Sequence, residues 1–408
     1  MAGVSPALAP PPGNPRFPLV DGVRAIAVLS IVLYHVSYAT EANLEPVIGP
    51  LLSRLHVGVA IFFVISGFLL YRPFLAARRG LGPPVGSGAY LRRRLLRIVP
   101  AYWTALTLLA IWPGLSGVFT GDWWIYYGFL QVYSPETYLQ GIGPTWSLAT
   151  EMAFYLVLPL FAALVAQLTR GATIATWLRR ELAVLAGLYL VAVAFRAWTL
   201  HSGAPLDLPS GVLVGTFDWF AVGMALAVAS VALDESGRKP RESFLRGWTS
   251  LLAWAAAAGL YALLVWGIGL PNVSAFSPTF KLTQLQYFAE HALMAGVALL
   301  IVIPAVLGDL TGGAVRALLR SRPAAYLGLI SYGIFLWHGP IVQELAETSA
   351  FDRPTVVLLA ATLAVVIPIA TASYYLVERP FLRLKYRRPV IGRRSASAAD
   401  PALSPRQS

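Results

Sequence analysis

Apolar runs recur along the chain at lengths that cross a bilayer. Windows of roughly 20 residues, enough for about 30 Å of hydrocarbon, fall at 22–40, 57–75, 99–118, 145–168, 181–200, 211–232, 248–269, 285–307, 324–343 and 354–377. The pattern predicts an all-α, polytopic membrane protein with about ten transmembrane helices. The Trp/Tyr-rich piece from Trp123 to Tyr133 is too short to cross and reads as an interfacial or re-entrant segment, an eleventh span being the lesser alternative. The ends are of another character. Residues 1–17 are rich in Pro, Ala and Gly, and 384–408 in Arg, Ser, Ala and Pro, compositions that bury no core. Both are expected to be disordered, leaving 18–383 as one membrane domain.

Composition agrees with the pattern and narrows it. Charged residues make up 12% of the 408 and mean hydropathy is +0.66, against roughly a quarter charged in soluble domains, so a soluble enzyme is excluded. There is no cysteine, which removes disulfides, thiolate metal sites and a cysteine acyl intermediate. The net charge of +12 gains meaning from where it sits. Of the 31 Lys and Arg residues, 25 fall on one side of the ten-span map, three in the opposite loops (Arg54, Lys281, Arg353) and three inside spans (Arg24, Arg72, Arg196). The positive-inside rule then puts both termini in the cytoplasm. The basic residues are dispersed over separate cytoplasmic segments, so nucleic acid is not an expected partner and membrane lipid is. Span one lacks a preceding basic region and a small-residue cleavage site, which reads as an uncleaved anchor. The excess of Arg over Lys, with abundant Ala, Gly and Leu, suits a GC-rich bacterial genome and hence a plasma membrane.

A charged group inside a span costs at least about 2.5–3.5 kcal/mol on insertion scales, so each is a functional candidate. On the alternating map His35, Glu151 and His338 share a level, five or six residues from the outer ends of their spans. Arg196, Asp218, Glu290 and His291 fall in the same outer third, which predicts a polar cavity opening away from the cytoplasm. Arg24 and His35 are eleven residues apart, on one helical face within some 20° and about 16 Å along the axis. An aligned Arg and a Glu at the same depth favour a functional His35. For His291 and His338 a hydrogen bond to a neighbouring helix is as good an account as catalysis. His56 reads as interfacial and His201 as solvated. An ion pair with Arg196 is the structural alternative for Glu151. On the cytoplasmic side Arg94 and Arg97 share a face at i and i+3 and would suit a phosphate clamp. From composition alone, topology or lipid contact accounts for them better, as it does for Arg92 and Arg93.

Five blocks carry a resemblance to a known family. They are Leu19-Val-Asp-Gly-Val-Arg24 continuing to Tyr34-His35; Phe62-Phe-Val-Ile-Ser-Gly-Phe68; Arg94-x-x-Arg97 running into Pro100-Ala-Tyr102; Trp146-Ser-Leu-Ala-Thr-Glu151 with Phe154-Tyr155 and Pro159; and Leu327-Gly-Leu-Ile-Ser-Tyr-Gly-Ile-Phe-Leu-Trp-His338 with Tyr374 to Glu378-Arg379-Pro380-Phe381. In this order, over about 18–383, the chain resembles the acyltransferase-3 family of integral membrane O-acyltransferases. The resemblance implies transfer of an acyl group, usually acetyl, from a cytoplasmic acyl-CoA to a hydroxyl on the outer side. Envelope polysaccharides, lipid-linked glycans and some macrolides are the family's acceptors. It implies that Arg24, Arg94 and Arg97 engage the donor and that His35 is the catalytic histidine. One departure is at Glu151-Met152-Ala153, where many relatives carry Glu-Glu-Gln, which suggests a different acceptor. Many bacterial members append an extracytoplasmic hydrolase-like domain; about 30 residues follow the last span here, and no such module is expected.

The chemistry then expected is direct transfer. His35 takes the acceptor's hydroxyl proton, Glu151 orients His35 or binds the sugar, and Ser66 or Tyr34 donates to the developing oxyanion. Trp146 and His338 are further candidates for binding substrate. No metal is expected, nothing requires an acyl-enzyme intermediate, and the oligomeric state is not legible. A cell-envelope carbohydrate is preferred to a macrolide as acceptor. A proton-coupled exporter of a glycan or metabolite is the rival from another class, though neither inverted repeats nor paired broken helices are visible.

Overall fold

The computed structural model describes residues 17–203, 211–237, 247–272, 282–307, 312–348 and 354–384. The segments 1–16 and 385–408, Lys281 and Arg353 lie outside these. Eleven helices organise the rest: α1 (Val20–Ala39), α2 (Val57–Arg78), α3 (Ser87–Leu109), α4 (Trp146–Leu168), α5 (Ile174–Ser202), α6 (Leu213–Glu235), α7 (Gly247–Ala262), α8 (Gln284–Val306), α9 (Arg322–Leu329), α10 (Ser331–Glu347) and α11 (Thr355–Ser373). There is no strand among the described residues. Hydrocarbon offers backbone groups no water, so a helix that satisfies its own N–H and C=O groups is the form these apolar runs can take. Among the described residues nine helices are long and apolar enough to cross, and ten if α9 and α10, bent by 70°, form one broken span. The chain is a multi-pass membrane protein. Between α3 and α4 the aromatic piece makes only a five-residue helix, Trp123–Tyr127, and a 3-10 turn, Gln131–Tyr133, both too short to span.

Two departures from the hydropathy windows bear on the site. α3 begins at Ser87 rather than near 99, so Arg94 and Arg97 belong to the same helix as the apolar stretch that follows. The ninth window is α9 joined to α10, and its bend at Ile330 leaves no trace in hydropathy because both halves are apolar.

α1 is the hub, in contact with α2, α8, α9, α10 and α11. A close backbone approach joins α2 to α6: a methyl group on Gly67 would run into the Phe220 carbonyl, and one on Gly223 into the Val64 carbonyl. Small residues let membrane helices meet backbone to backbone, and here the contact is extended by Phe220, which stacks on Phe63 of α2 at 4.5 Å and Phe154 of α4 at 4.1 Å. These rings fix the rotation of α2 against α4. At the far end of α2, Arg72 pairs with Asp234 and Arg79 with Glu235 of α6, while Arg78 sits 3.0 Å from Glu181 of α5. Gly223→Leu is therefore expected to separate α2 from α6 and cost about 1–3 kcal/mol by overpacking. Gly187→Leu on α5, where an added Cβ would meet nothing within 4 Å, is expected to be silent. Size-exclusion profiles and melting curves of the two detergent-extracted variants would check this.

Candidate active site

An open cavity lies between α1, α2, α3, α4 and α10, with about 790 Å3 of empty space including its mouth. Arg24 reaches it from α1, Ser66 from α2, Arg94 and Arg97 from α3, Glu151 and Tyr155 from α4, and Tyr332 from α10. Ile31, Phe62, Leu69 and Phe335 supply apolar wall. Three guanidinium groups face one carboxylate, a formal excess of two positive charges in a partly apolar enclosure, where charges are weakly screened.

The three arginines are differently held. Arg24 donates to Asp21 at 3.1 Å, one turn back along α1. The buried Nε of Arg94 has no hydrogen-bond partner among the described residues, an unsatisfied donor at a wall that suits phosphate oxygens. Arg97 stands one turn along from it on the same face. Ser66 donates its hydroxyl proton to Glu151, so that proton faces the carboxylate rather than the open cavity. Tyr332 spends its own on the Ile98 carbonyl at 2.8 Å, tying α10 to α3.

His35 lies one turn beyond the wall residue Ile31, and His338 three residues beyond the wall residue Phe335. The two rings meet: His338 Nε2 is 3.2 Å from His35 Nδ1, with centroids 4.9 Å apart. His35 is half-buried and His338 fully buried. His35 Nδ1 is also 2.9 Å from the Ile31 carbonyl, and His338 Nδ1 is 2.8 Å and 3.1 Å from the carbonyls of Phe335 and Ile334.

The structure thus gathers Arg24, Ser66, Arg94, Arg97 and Glu151 around one space and sets His35 and His338 together beside it. No hydrogen bond joins Glu151 to His35 among the described residues. Tyr34 turns away from the cavity, edge-on to His35 at 5.1 Å and packed on Tyr38 and His56. Trp146 stacks on Tyr138 at 5.9 Å, and it is its neighbour Ser147 that lines the cavity. Arg196 pairs with Asp218 at 2.8 Å rather than with Glu151, and His291 lies 3.7 Å from the same carboxylate. Arg196, Asp218 and His291 are packed in the interior rather than lining the polar cavity their depth suggested. His56 bridges to Glu290 at 3.4 Å, and His201 is exposed. Among the described residues no cluster of His, Cys, Asp and Glu converges as a metal site. The two tyrosines of the cavity have no role that the sequence assigns. Tyr155 follows Glu151 by four residues, a spacing that could have revealed it, whereas Tyr332 arrives only through the bend before α10.

A family model described as an acyltransferase domain matches residues 17–374. Among similar proteins, the peptidoglycan O-acetyltransferase OatA of Listeria monocytogenes is 24% identical over 89% of this chain and 55% of its own length. A Komagataeibacter xylinus protein, BcsY, named as a membrane-bound transacylase, is 26% identical over 93% of this chain and 86% of its own. The O-acetyltransferase OatA of Staphylococcus aureus is 22% identical over 92% and 58%. The chain spans little more than half the length of the two O-acetyltransferases. No solved structure matches it at a significant level.

Proposed function

The chain belongs to the acyltransferase-3 family, and from that premise we propose that it moves an acyl group, acetyl in the simplest case, from cytoplasmic acyl-CoA to a hydroxyl of a cell-envelope carbohydrate across the plasma membrane. One observation carries the reading: three arginines and a carboxylate line a single cavity with a histidine pair beside it. Guanidinium forks suit the phosphates of coenzyme A, and the cavity's positive excess suits their charge. The crowding of Lys and Arg on one side of the span map supports both termini, and the arginine end of the cavity, facing the cytoplasm. The relatives named for peptidoglycan O-acetylation favour a carbohydrate acceptor over a macrolide.

In the proposed reaction the acceptor oxygen attacks the thioester carbonyl while His35 removes its proton. The carbon–sulfur bond then breaks, and the same proton passes to the departing thiolate, so that an ester and free coenzyme A leave. Glu151, fixed by Ser66, accepts a hydrogen bond from the sugar. No acyl-enzyme step is needed. Ser66 and Tyr155 both turn their hydroxyls to Glu151, and Tyr34 stands off the cavity, so none of the three is free to donate to the developing oxyanion in this arrangement.

The test is release of free coenzyme A by the purified protein in lipid vesicles, with acetyl-CoA and peptidoglycan fragments. Acceptor-dependent release with an acetyl ester on the glycan is expected. Arg94→Ala should raise the KM for acetyl-CoA about 10–100-fold, the equivalent of one charge-assisted hydrogen bond. Absence of acetyl-CoA binding to the wild-type protein would overturn the reading and return the exporter as the better account.

A further inference from the structure

We propose that His338 is a positioning residue for His35, the neutral ring that fixes which nitrogen of His35 takes the proton and steadies the charge it then carries. This deepens the reading of His35 as the base and rests on it. The two histidines are 303 residues apart, on α1 and α10, and their ring nitrogens lie 3.2 Å from each other.

The protonation pattern follows from backbone carbonyls, which can only accept. His338 Nδ1 lies within hydrogen-bond distance of two of them, Phe335 at 2.8 Å and Ile334 at 3.1 Å, so Nδ1 carries the hydrogen. In the neutral ring Nε2 then holds the lone pair, and this is the atom that faces His35. His35 Nδ1 thus stands before two acceptors, His338 Nε2 and the Ile31 carbonyl at 2.9 Å, and must itself be the protonated nitrogen. The free lone pair of His35 is left on Nε2, which becomes the proton-accepting atom.

The two acceptors are not equivalent. The Ile31 carbonyl already closes the helical turn by receiving the backbone N–H of residue 35, as every carbonyl inside an α-helix does. His338 Nε2 has no competing donor among the described hydrogen bonds. When His35 Nε2 takes the acceptor's proton, the ring becomes cationic and its Nδ1–H bond becomes charge-assisted, roughly twice as strong as between neutral groups. His338 therefore gives most in the state that resembles the transition state. It does for His35 what the orienting group does in a nucleophile–base–orienter triad, with an uncharged ring in place of a carboxylate. An uncharged orienter spares this buried position a second ionised side chain. Its own orientation is secured by the two carbonyls of α10, and α10 is held to α3 by Tyr332.

The experiment compares His338→Phe, which keeps a ring but no acceptor, with His338→Gln, whose amide oxygen falls near the place of Nε2. Acceptor-dependent coenzyme A release is expected to show kcat down about 10–100-fold in His338→Phe, with the KM for acetyl-CoA changed by less than about twofold, and kcat within about fivefold of wild type in His338→Gln. Nitrogen-15 spectra of histidine-labelled protein in vesicles supply a readout that mere packing would not move. The resonance missing from His35→Ala identifies His35; it should report a protonated Nδ1 and an unprotonated Nε2 in wild type and shift in His338→Phe. Should His338→Phe not fold, His338→Asn, which keeps only the donor to the carbonyls, replaces it. Full turnover in His338→Phe overturns the proposal, as does an equal loss in the Phe and Gln variants with unmoved His35 resonances. Retained turnover in His35→Ala would instead bring down the base assignment itself, so the two failures are distinguishable.

Discussion

Alanine at His35 is expected to lower the turnover of acetyl-CoA onto the glycan by about 10³-fold while leaving donor affinity within a few-fold of wild type. A sugar hydroxyl scarcely ionises at neutral pH, and a positioned base contributes about 10²–10⁴ to such a transfer. The same ring, once protonated, returns its proton to the leaving thiolate, so one substitution removes both services. Donor affinity should survive because the groups proposed to hold the donor, Arg24, Arg94 and Arg97, line the cavity, whereas His35 stands a turn past its wall. Single-turnover acetyl transfer and calorimetric binding of acetyl-CoA, measured on the same vesicle preparation, separate the two quantities. Loss of both together would mean that the substitution disturbed the cavity.

The second large effect concerns stability. Asp218→Ala is expected to cost about 3–5 kcal/mol, the usual penalty for leaving one member of a buried ion pair alone. Asp218 is wholly buried and Arg196 almost so. Arg196 donates to the carboxylate at 2.8 Å and also to the Gly215 carbonyl. His291 approaches the same carboxylate and stacks on Trp219 at 4.6 Å, and Trp219 donates to the backbone carbonyl of His291 at 3.1 Å. One side chain therefore ties together α5, α6 and α8. Without it the guanidinium keeps its charge in a buried site stripped of its paired carboxylate. The double variant Arg196→Met, Asp218→Leu removes both charges and is expected to recover most of the loss. Melting temperatures and the monodisperse fraction of the extracted variants would show it. Since neither residue lines the cavity, the recovered double variant should turn over at close to the wild-type rate per folded molecule.

The membrane architecture was legible in hydropathy because hydrocarbon admits so few alternatives to a long apolar helix. What periodicity could add, it added: the eleven-residue interval between Arg24 and His35 set both on one face of α1, and the i, i+3 spacing of Arg94 and Arg97 set both on one face of α3. Contacts between distant segments carry no such signature. Hydropathy gives depth but not rotation about the helix axis, so Asp218, Arg196 and His291 were assigned to a water-facing cavity when their helices turn them into packed protein. The same limit hid the bond from Ser66 to Glu151, whose geometry depends on the Phe220 stack and on the bare backbones at Gly67 and Gly223. His338 was visible as a buried histidine level with His35, but the meeting of the rings needs the turn at Ile330.

The unbroken run of α1 from Arg24 to His35 has a further consequence under the proposed reaction: the helix works as a ruler. A donor anchored by its phosphates at the arginine end must present its thioester a fixed interval away, beside the imidazole. Selection would then act on the length of the linker between anion and thioester as much as on either end. A short acyl phosphate would be captured but held out of reach of the base. A simple acyl thioester without phosphates would reach the base but gain nothing from the anchor, and its reaction would be indifferent to whether the arginines are present.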